Sequence, residues 1–158
     1  MIKVATLTIS DSCSKGQRED ISGQTIKDIL PKDNFEICGQ KIAADEQGSI
    51  KEVLLYFSDE LKVDIILTTG GTGFGPRDVT PEVTIEVCQK MAPGLAEAMR
   101  SEGLKKTKNA ILSRSVTGIR GKTLIINLPG SPKGVKESLE AILDVLPHAV
   151  KMMHGAGH

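Results

Sequence analysis

Asp64-Ile65-Ile66-Leu67-Thr68-Thr69-Gly70-Gly71-Thr72-Gly73-Phe74-Gly75-Pro76-Arg77-Asp78-Val79-Thr80-Pro81-Glu82 compresses a strand, a glycine loop, a charged pair and a helix start into one run. Ile65, Ile66 and Leu67 form a short apolar segment ending in two β-branched threonines, the composition of a strand buried on both faces of a parallel sheet. The strand stops at Gly70. Gly70, Gly71, Gly73 and Gly75 lack a β-carbon, so the loop can bring backbone N–H groups close to a ligand, a chemistry suited to phosphate. Beyond it, Thr80-Pro81-Glu82 predicts a helix start, with threonine as cap, proline in the first turn and glutamate complementing the dipole. Asp78, beside an anion site, suits the Mg²⁺ that accompanies a nucleotide, an ion bound through one or two carboxylates plus phosphate oxygens. Glycines alone also describe an ordinary turn between strand and helix. The crowding of Thr68, Thr72, Arg77 and Asp78 into one loop favours a binding site.

Upstream, Lys3 to Ser10 carries Val4, Thr6, Leu7, Thr8 and Ile9 and predicts a first strand, ending in Ser10-Asp11-Ser12. Ligands of an open α/β sheet gather outside the carboxyl ends of its strands, so these polar residues are candidate binding groups as well as turn formers. Cys13 to Ile21 is polar and aperiodic and reads as a loop at that end of the sheet. Ser22 reads as the cap of a helix through Leu30, and Phe35 to Ala43 as a second strand interrupted by Gly39. From Gln47 onward, Ile50, Val53, Leu54, Phe57 and Leu61 trace an amphipathic helical stripe. Asp45, just ahead of it, has two readings. It is the cap of that helix, or, because Asp45 and Asp78 both follow strands and precede helices, it is the second carboxylate of a metal–phosphate site at one sheet edge.

Downstream, Val83 and Val87 mark a helix that ends before Pro93, and Pro93-Gly94 opens another that closes near Gly103. Ala110 to Thr117 reads as an edge strand or extended segment, Gly118 to Gly121 as a turn, and Lys122 to Leu128 as a further buried strand. It leads into Pro129-Gly130-Ser131-Pro132, which serves either as a rigid turn or as a set of N–H groups at the start of the last helix. That helix carries Val135, Leu139, Ile142, Leu143 and Leu146, with a kink or restart at Pro147. His154 and His158 are four apart, but the glycines between them favour a frayed tail over a helical metal pair.

Composition narrows the function classes. The 158 residues fit one domain with a sizeable core. Net charge is zero and the one basic cluster, Lys105, Lys106 and Lys108, reads as a solvated loop, so a grip on nucleic acid is not expected. Cys13, Cys38 and Cys88 are odd in number and contain no C-x-x-C pair, so neither a disulfide framework nor a zinc site is expected and a reducing, cytoplasmic setting is. Met1-Ile2-Lys3-Val4 carries no signal-peptide pattern and no apolar run reaches spanning length, so no membrane role is expected. A dinucleotide-binding G-x-G-x-x-G fingerprint does not follow Ile9.

Thr8-Ile9-Ser10-Asp11-Ser12, Thr68-Thr69-Gly70-Gly71-Thr72-Gly73, Pro76-Arg77-Asp78-Val79-Thr80-Pro81-Glu82, Ala92-Pro93-Gly94 and Asn127-Leu128-Pro129-Gly130-Ser131-Pro132 together resemble the molybdopterin adenylyltransferase family, the type of MogA and the gephyrin G domain. Ser113-Arg114 and Gly118-Ile119-Arg120-Gly121-Lys122 resemble the gephyrin branch in particular. The resemblance runs from about Lys3 to about Met152. It implies a three-layer α/β fold, a mostly parallel sheet covered by helices on both faces, in a single molybdopterin-binding domain over residues 1–154 with a frayed tail over 155–158. It also implies Mg²⁺-dependent transfer of AMP from ATP to the terminal phosphate of molybdopterin, with pyrophosphate released. A homotrimer, and the molybdate-inserting enzyme of the next step as a partner, come with it. By motif position, Asp45 and Asp78 are the catalytic and metal-holding carboxylates. Ser10, Asp11, Ser12, Thr69, Gly70, Gly71, Thr72, Gly73, Arg77, Pro129, Gly130 and Ser131 are the substrate- and nucleotide-binding residues. Where the family often has Pro-Asp-Glu this chain has Ala44-Asp45-Glu46, which keeps the aspartate. Two other readings stay open: a paralogue that binds molybdopterin without adenylylating it, and a trimeric scaffold module.

Overall fold

Successive residues of a strand point to opposite faces of its sheet, and in this chain both faces are apolar. In β1 (Ile2–Ile9), Val4 enters one core while Ala5, Leu7 and Ile9 enter the other. With β2 (Phe35–Ala43), β3 (Ile65–Thr69), β4 (Lys90–Met91), β5 (Thr117–Arg120) and β6 (Thr123–Leu128), six strands form one sheet in the order β2-β1-β3-β6-β5-β4. Ile65 and Leu67 of β3 oppose Ile66, and Leu124 and Ile126 of β6 oppose Ile125, so the continuous apolar runs serve two covered faces. The first four strands in that order are mutually parallel; at the edge β5 runs antiparallel to β6, and β4 antiparallel to β5. This computed structural model describes residues 1–156.

A single turn, α1 (Asp11–Ser14), follows β1, and α2 (Ile21–Ile29) returns the chain to β2. On one face of the sheet lie α3 (Gln47–Leu55), prolonged by a wider π-helical turn over Tyr56–Glu60, and α4 (Thr80–Val87); they bury Ile50, Leu54, Phe57, Val83 and Val87. The other face carries α2, α5 (Pro93–Leu104), α6 (Pro132–Ile142) and α7 (Leu146–Met153), through Ile26, Met99, Leu139 and Leu146 among others. The expected layers, helices on both sides of a mostly parallel sheet, are therefore present.

Several local expectations are corrected. The cap of α2 is Asp20, which accepts the Gly23 N–H at 2.9 Å, whereas Ser22 is buried and donates its hydroxyl to the Gly130 carbonyl at 2.7 Å. Gly118, Ile119 and Arg120 belong to β5, and the chain reverses at Gly121-Lys122, with Gly121 at φ 59°. The segment read as extended from Ala110 begins in a 3₁₀ turn over Lys108–Leu112. Pro147 does restart the helix, as the first turn of α7. Gly155, at φ 82°, donates to Met152 O and Ala156 to Lys151 O, which closes α7. Gly157 and His158, part of the expected frayed tail, lie outside the described residues. His154 instead meets Asp64, Nε2 to Oδ1 at 2.8 Å.

Candidate active site

The parallel register places Thr8 opposite Thr69 and Thr69 opposite Leu128, so β1, β3 and β6 end level with one another. From β1 the chain crosses to β2 on one side, and from β3 it goes on to α4 and the strands on the other. This divergence leaves a crevice between the carboxyl ends of β1 and β3, where open α/β sheets place their ligands. A cavity of ≈ 420 Å³ opens there, floored by Ile9, Ser10, Thr69, Gly70 and Gly71 and walled by Gly130, Ser131, Asp45 and Asp78.

Gly70 forms the floor because nothing larger fits. Its φ is 99°, and a β-carbon would overlap the Ile9 carbonyl oxygen. Its own N–H is held by Leu128 O at 3.2 Å, which leaves the amides of Gly71, Thr72 and Gly73 without an acceptor among the described residues. Thr80 does not cap α4 as expected. It occupies the first helical position, fully buried, and its hydroxyl donates to Gly70 O at 3.0 Å, drawing the helix start against the loop. Ser131 caps α6 by accepting the Gly134 N–H at 3.0 Å, so that helix N-terminus faces the cavity.

The cap reading of Asp45 fails, because Glu46 is the residue that precedes α3. Asp45 turns to α1 instead. Its Oδ2 accepts the Asp11 N–H at 3.0 Å while its own N–H donates to Asp11 Oδ1 at 3.0 Å, a reciprocal couple. Arg77 closes the group by donating twice to Asp11, Nε to Oδ2 at 2.8 Å and Nη2 to Oδ1 at 2.9 Å. That fork holds the Asp11 carboxyl below the ordinary range. Asp45 moves the other way: burial raises it, the Asp11 N–H partly offsets this, and the negative charges of Asp11 and Asp78 raise it further. Asp78 is folded back over its own loop, Oδ2 accepting the Gly75 N–H at 2.9 Å. A β-carbon at Gly73 or Gly75 would sit 3.0 or 2.8 Å from that oxygen, so the glycines make the fold-back possible.

A second cavity of ≈ 370 Å³ lies on the far side of the same loop, lined by Thr72, Gly73, Pro129 and Ser131 together with Met99, Arg100, Ala110, Leu112 and Ser113. Thr69 ties the two loops, donating its hydroxyl to Pro129 O at 2.6 Å.

A family model described as "Probable molybdopterin binding domain" matches residues 5–148. The chain belongs to this molybdopterin-binding family. It is 46% identical over 157 residues to the molybdopterin adenylyltransferase of Helicobacter pylori strain J99, covering 98% of this chain and 89% of that one. It is 38% identical over 157 residues to the molybdopterin adenylyltransferase of Escherichia coli K12, covering 98% and 79%. Among solved structures, the molybdopterin biosynthesis enzyme MoaB from Thermus thermophilus superposes with a TM-score of 0.93 at 50% identity, covering 98% of each chain.

Within this molybdopterin-binding domain, eight residues singled out in the sequence meet around the first cavity: Ser10, Asp45, Thr69, Gly70, Gly71, Asp78, Gly130 and Ser131. Thr72, Gly73 and Pro129 line the second, along with Ser131. Asp11, Ser12 and Arg77 line neither; Asp11 and Arg77 stand behind Asp45, and Ser12 exchanges a 3.2 Å contact with the Ser10 hydroxyl. Thr8, Arg18, Asp20 and Ser22 line the first cavity without having been singled out as site residues. Arg18 has no ion-pair partner among the described residues, and the loop reading of Cys13 to Ile21 was the one signal that pointed to it.

The donor set suits a divalent cation. No cluster of three or more His, Cys, Asp or Glu residues forms a protein-only metal cage among the described residues. Asp45 Oδ1 and Asp78 Oδ1 accept no hydrogen bond there. Two open carboxylates completed by phosphate oxygens are what Mg²⁺ takes.

Proposed function

We propose that this chain is a molybdopterin adenylyltransferase acting in molybdenum cofactor biosynthesis: it joins AMP from ATP to the terminal phosphate of molybdopterin and releases pyrophosphate. The observation that carries the reading is the pairing of Asp45 and Asp78, from two different strand ends, across one cavity floored by the Gly70–Gly71 backbone. The names borne by relatives at 46% and 38% identity support it. Charge arithmetic supports the cation. The first cavity is lined by Glu19, Asp20, Asp45 and Asp78 against a single arginine, Arg18, while both substrates are anionic. A cation must therefore enter with the phosphates.

In this reading a phosphate oxygen of molybdopterin attacks the α-phosphorus of ATP, and the bond to the β-phosphate oxygen breaks as pyrophosphate departs. Asp45 and Asp78 would hold Mg²⁺, which when bound would supply neutralisation of charge on the phosphates. The amides of Gly71 to Gly73 and the N-terminus of α6 orient the phosphate oxygens, and Arg18 supplies the remaining positive charge. Ser10, Thr69, Gly130 and Ser131 shape the wall against which the substrates align, and Ser12 supports Ser10. Phosphate is already a nucleophile, so positioning contributes more here than a general base. The second cavity, with its apolar Met99, Ala110 and Leu112, suits the ring end of a substrate whose phosphate reaches past Thr72 and Gly73. A single domain over 1–154, a homotrimer, a cytoplasmic setting and a molybdate-inserting partner complete the proposal. Three unpaired cysteines are compatible with a reducing compartment, and no described helix is long and apolar enough to cross a membrane.

The test is pyrophosphate release on adding ATP and Mg²⁺ to protein loaded with molybdopterin. Stoichiometric release is expected, and Asp78→Asn should lower it by about 100-fold, the scale of losing one charge-stabilising group. Binding without release by the wild type would overturn the activity; full turnover by the variant would overturn the carboxylate assignment.

A further inference from the structure

Asp78 reaches the cavity from a loop that has almost no core of its own. Phe74, the large apolar residue of that loop, is 71% exposed, so packing does not set the loop's shape. Hydrogen bonds do, between Gly75 and Asp78 inside the loop and from one distant residue at its two ends. Arg114, in the extended segment before β5, donates its main-chain N–H to Thr72 O at 2.9 Å and its Nε to Gly73 O at 2.8 Å, gripping the loop where it leaves the floor. Its Nη2 donates to Asp78 O at 2.8 Å, gripping the loop where it returns. Glu82, in the first turn of α4, accepts from Nη1 at 2.6 Å and from Nη2 at 3.1 Å and so fixes the plane of the guanidinium. The arginine is anchored from behind as well, since Arg100 of α5 donates to the carbonyls of Ser113 and Ser115 on either side of it, at 3.2 and 2.8 Å.

We propose that Arg114 is a positioning residue: with Glu82 it clamps both ends of the Thr72–Asp78 loop and thereby sets where the Asp78 carboxylate stands in the cavity. This rests on the reading of Asp78 as a metal-holding carboxylate. The chemistry requires an arginine, because a planar fork spans four acceptor oxygens on three residues, Gly73, Asp78 and Glu82, while a lysine ammonium offers a single charged point. The guanidinium lines neither cavity; it acts through the loop.

The chain contains no tryptophan, so Phe74→Trp installs a unique reporter on the loop. In that background, Arg114→Ala and Arg114→Lys are expected to lower tryptophan anisotropy and to raise acrylamide quenching, and Glu82→Gln to do so less. In the otherwise native protein, both Arg114 variants are expected to lower kcat for pyrophosphate release by about 10- to 100-fold, the effect of misplacing a reacting arrangement by about 1 Å. The KM for ATP should stay within twofold and the magnesium needed for half-maximal rate should rise. Millimolar guanidinium should restore part of the Arg114→Ala rate, which a generally destabilised fold would not allow. An unchanged loop signal overturns the clamp. A loosened loop with unchanged kcat and magnesium dependence overturns the positioning role. If wild-type protein releases no pyrophosphate, the enzymatic reading fails separately, and the anisotropy and quenching still decide whether Arg114 sets the loop.

Discussion

Gly70 offers the sharpest energetic test, because it is where β1, β3 and the β6 loop converge under the cavity. Gly70→Ala places a β-carbon on a backbone at φ 99°, a conformation that costs a side-chain-bearing residue about 1–3 kcal/mol. The new methyl also overlaps the Ile9 carbonyl oxygen, a main-chain atom held in the β1 ladder that has no rotamer to escape to. Overpacking of this kind adds about 1–3 kcal/mol. The total, about 2–6 kcal/mol, is a large part of the roughly 5–15 kcal/mol that stabilises an ordinary domain. For a chain of this size it corresponds to a fall in Tm of roughly 5–20 °C. The internal control is Gly48→Ala: Gly48 lies in the first turn of α3 with nothing within 4 Å of an added methyl, and alanine there should stabilise by about 0.4–1 kcal/mol. Thermal unfolding followed by far-UV circular dichroism measures both. A Gly70→Ala melt within a degree or two of wild type, or a Gly48→Ala protein that falls as far, would refute the reasoning that the floor admits only glycine.

Two further outcomes follow from the ionisable groups. Asp45 is raised above its unfolded value of 3.8, chiefly by burial, so the native state binds its proton more tightly. The associated stability is fully present below pH 3.8 and is lost as pH climbs through the folded value. Without magnesium, Asp45→Asn should therefore melt above wild type at pH 7 and converge with it in acid, and an equal or lower melt at pH 7 would contradict the account. Burial also pushes the Cys88 thiol up to about 11, so pulse alkylation at pH 8 should label Cys88 last. Cys13, which lines the first cavity, should be labelled earlier and be protected by ATP with magnesium; peptide mass spectrometry reads both.

The sheet was legible because two covered faces leave a signature in a single strand: Ile65, Ile66 and Leu67 carry no polar alternation, and they divide between two cores. The β2 boundaries, Phe35–Ala43, were also legible, although that strand is buried only at its two ends. What the pattern hid was short or tertiary. β4 is two residues long and exposed, too brief to have a period. Gly118 looked like a turn residue, yet it lies in β5 with the Cys88 side chain packed where its own would be. Thr80 and Ser22 have the chemistry of caps, but each gives its hydroxyl to a carbonyl outside its own helix, Thr80 to Gly70 ten residues before it and Ser22 to Gly130 in a loop 108 residues away. In the site, the glycine loop and both carboxylates could be seen in the chain, because strand-end placement follows from topology alone. For Arg18 the chain gave only the loop's place at that end of the sheet, since nothing in a polar, aperiodic segment marks which side chain turns inward.

Arg77 shows why residue type and position together still leave the role of a charge undetermined. An arginine beside a glycine loop reads as a phosphate ligand, and the structure gives it to Asp11 through two short hydrogen bonds. Asp11 in turn exchanges main-chain and carboxylate bonds with Asp45, 34 residues away, so the positive charge stabilises the support of a carboxylate and is not left over for substrate. Asp78 is supported the same way from the other side, by an arginine 36 residues away that bonds its main chain and leaves its carboxylate open. Each acidic group thus has a cation that fixes its backbone without neutralising it at the cavity. Had Arg77 or Arg114 bonded the Asp45 or Asp78 carboxylate directly, the pocket would hold satisfied ion pairs with little reason to take a divalent cation. Because both pairings are one atom shell removed, the cavity keeps two open acidic oxygens facing its glycine floor, and that separation of support from charge is what suits it to metal-assisted phosphate chemistry.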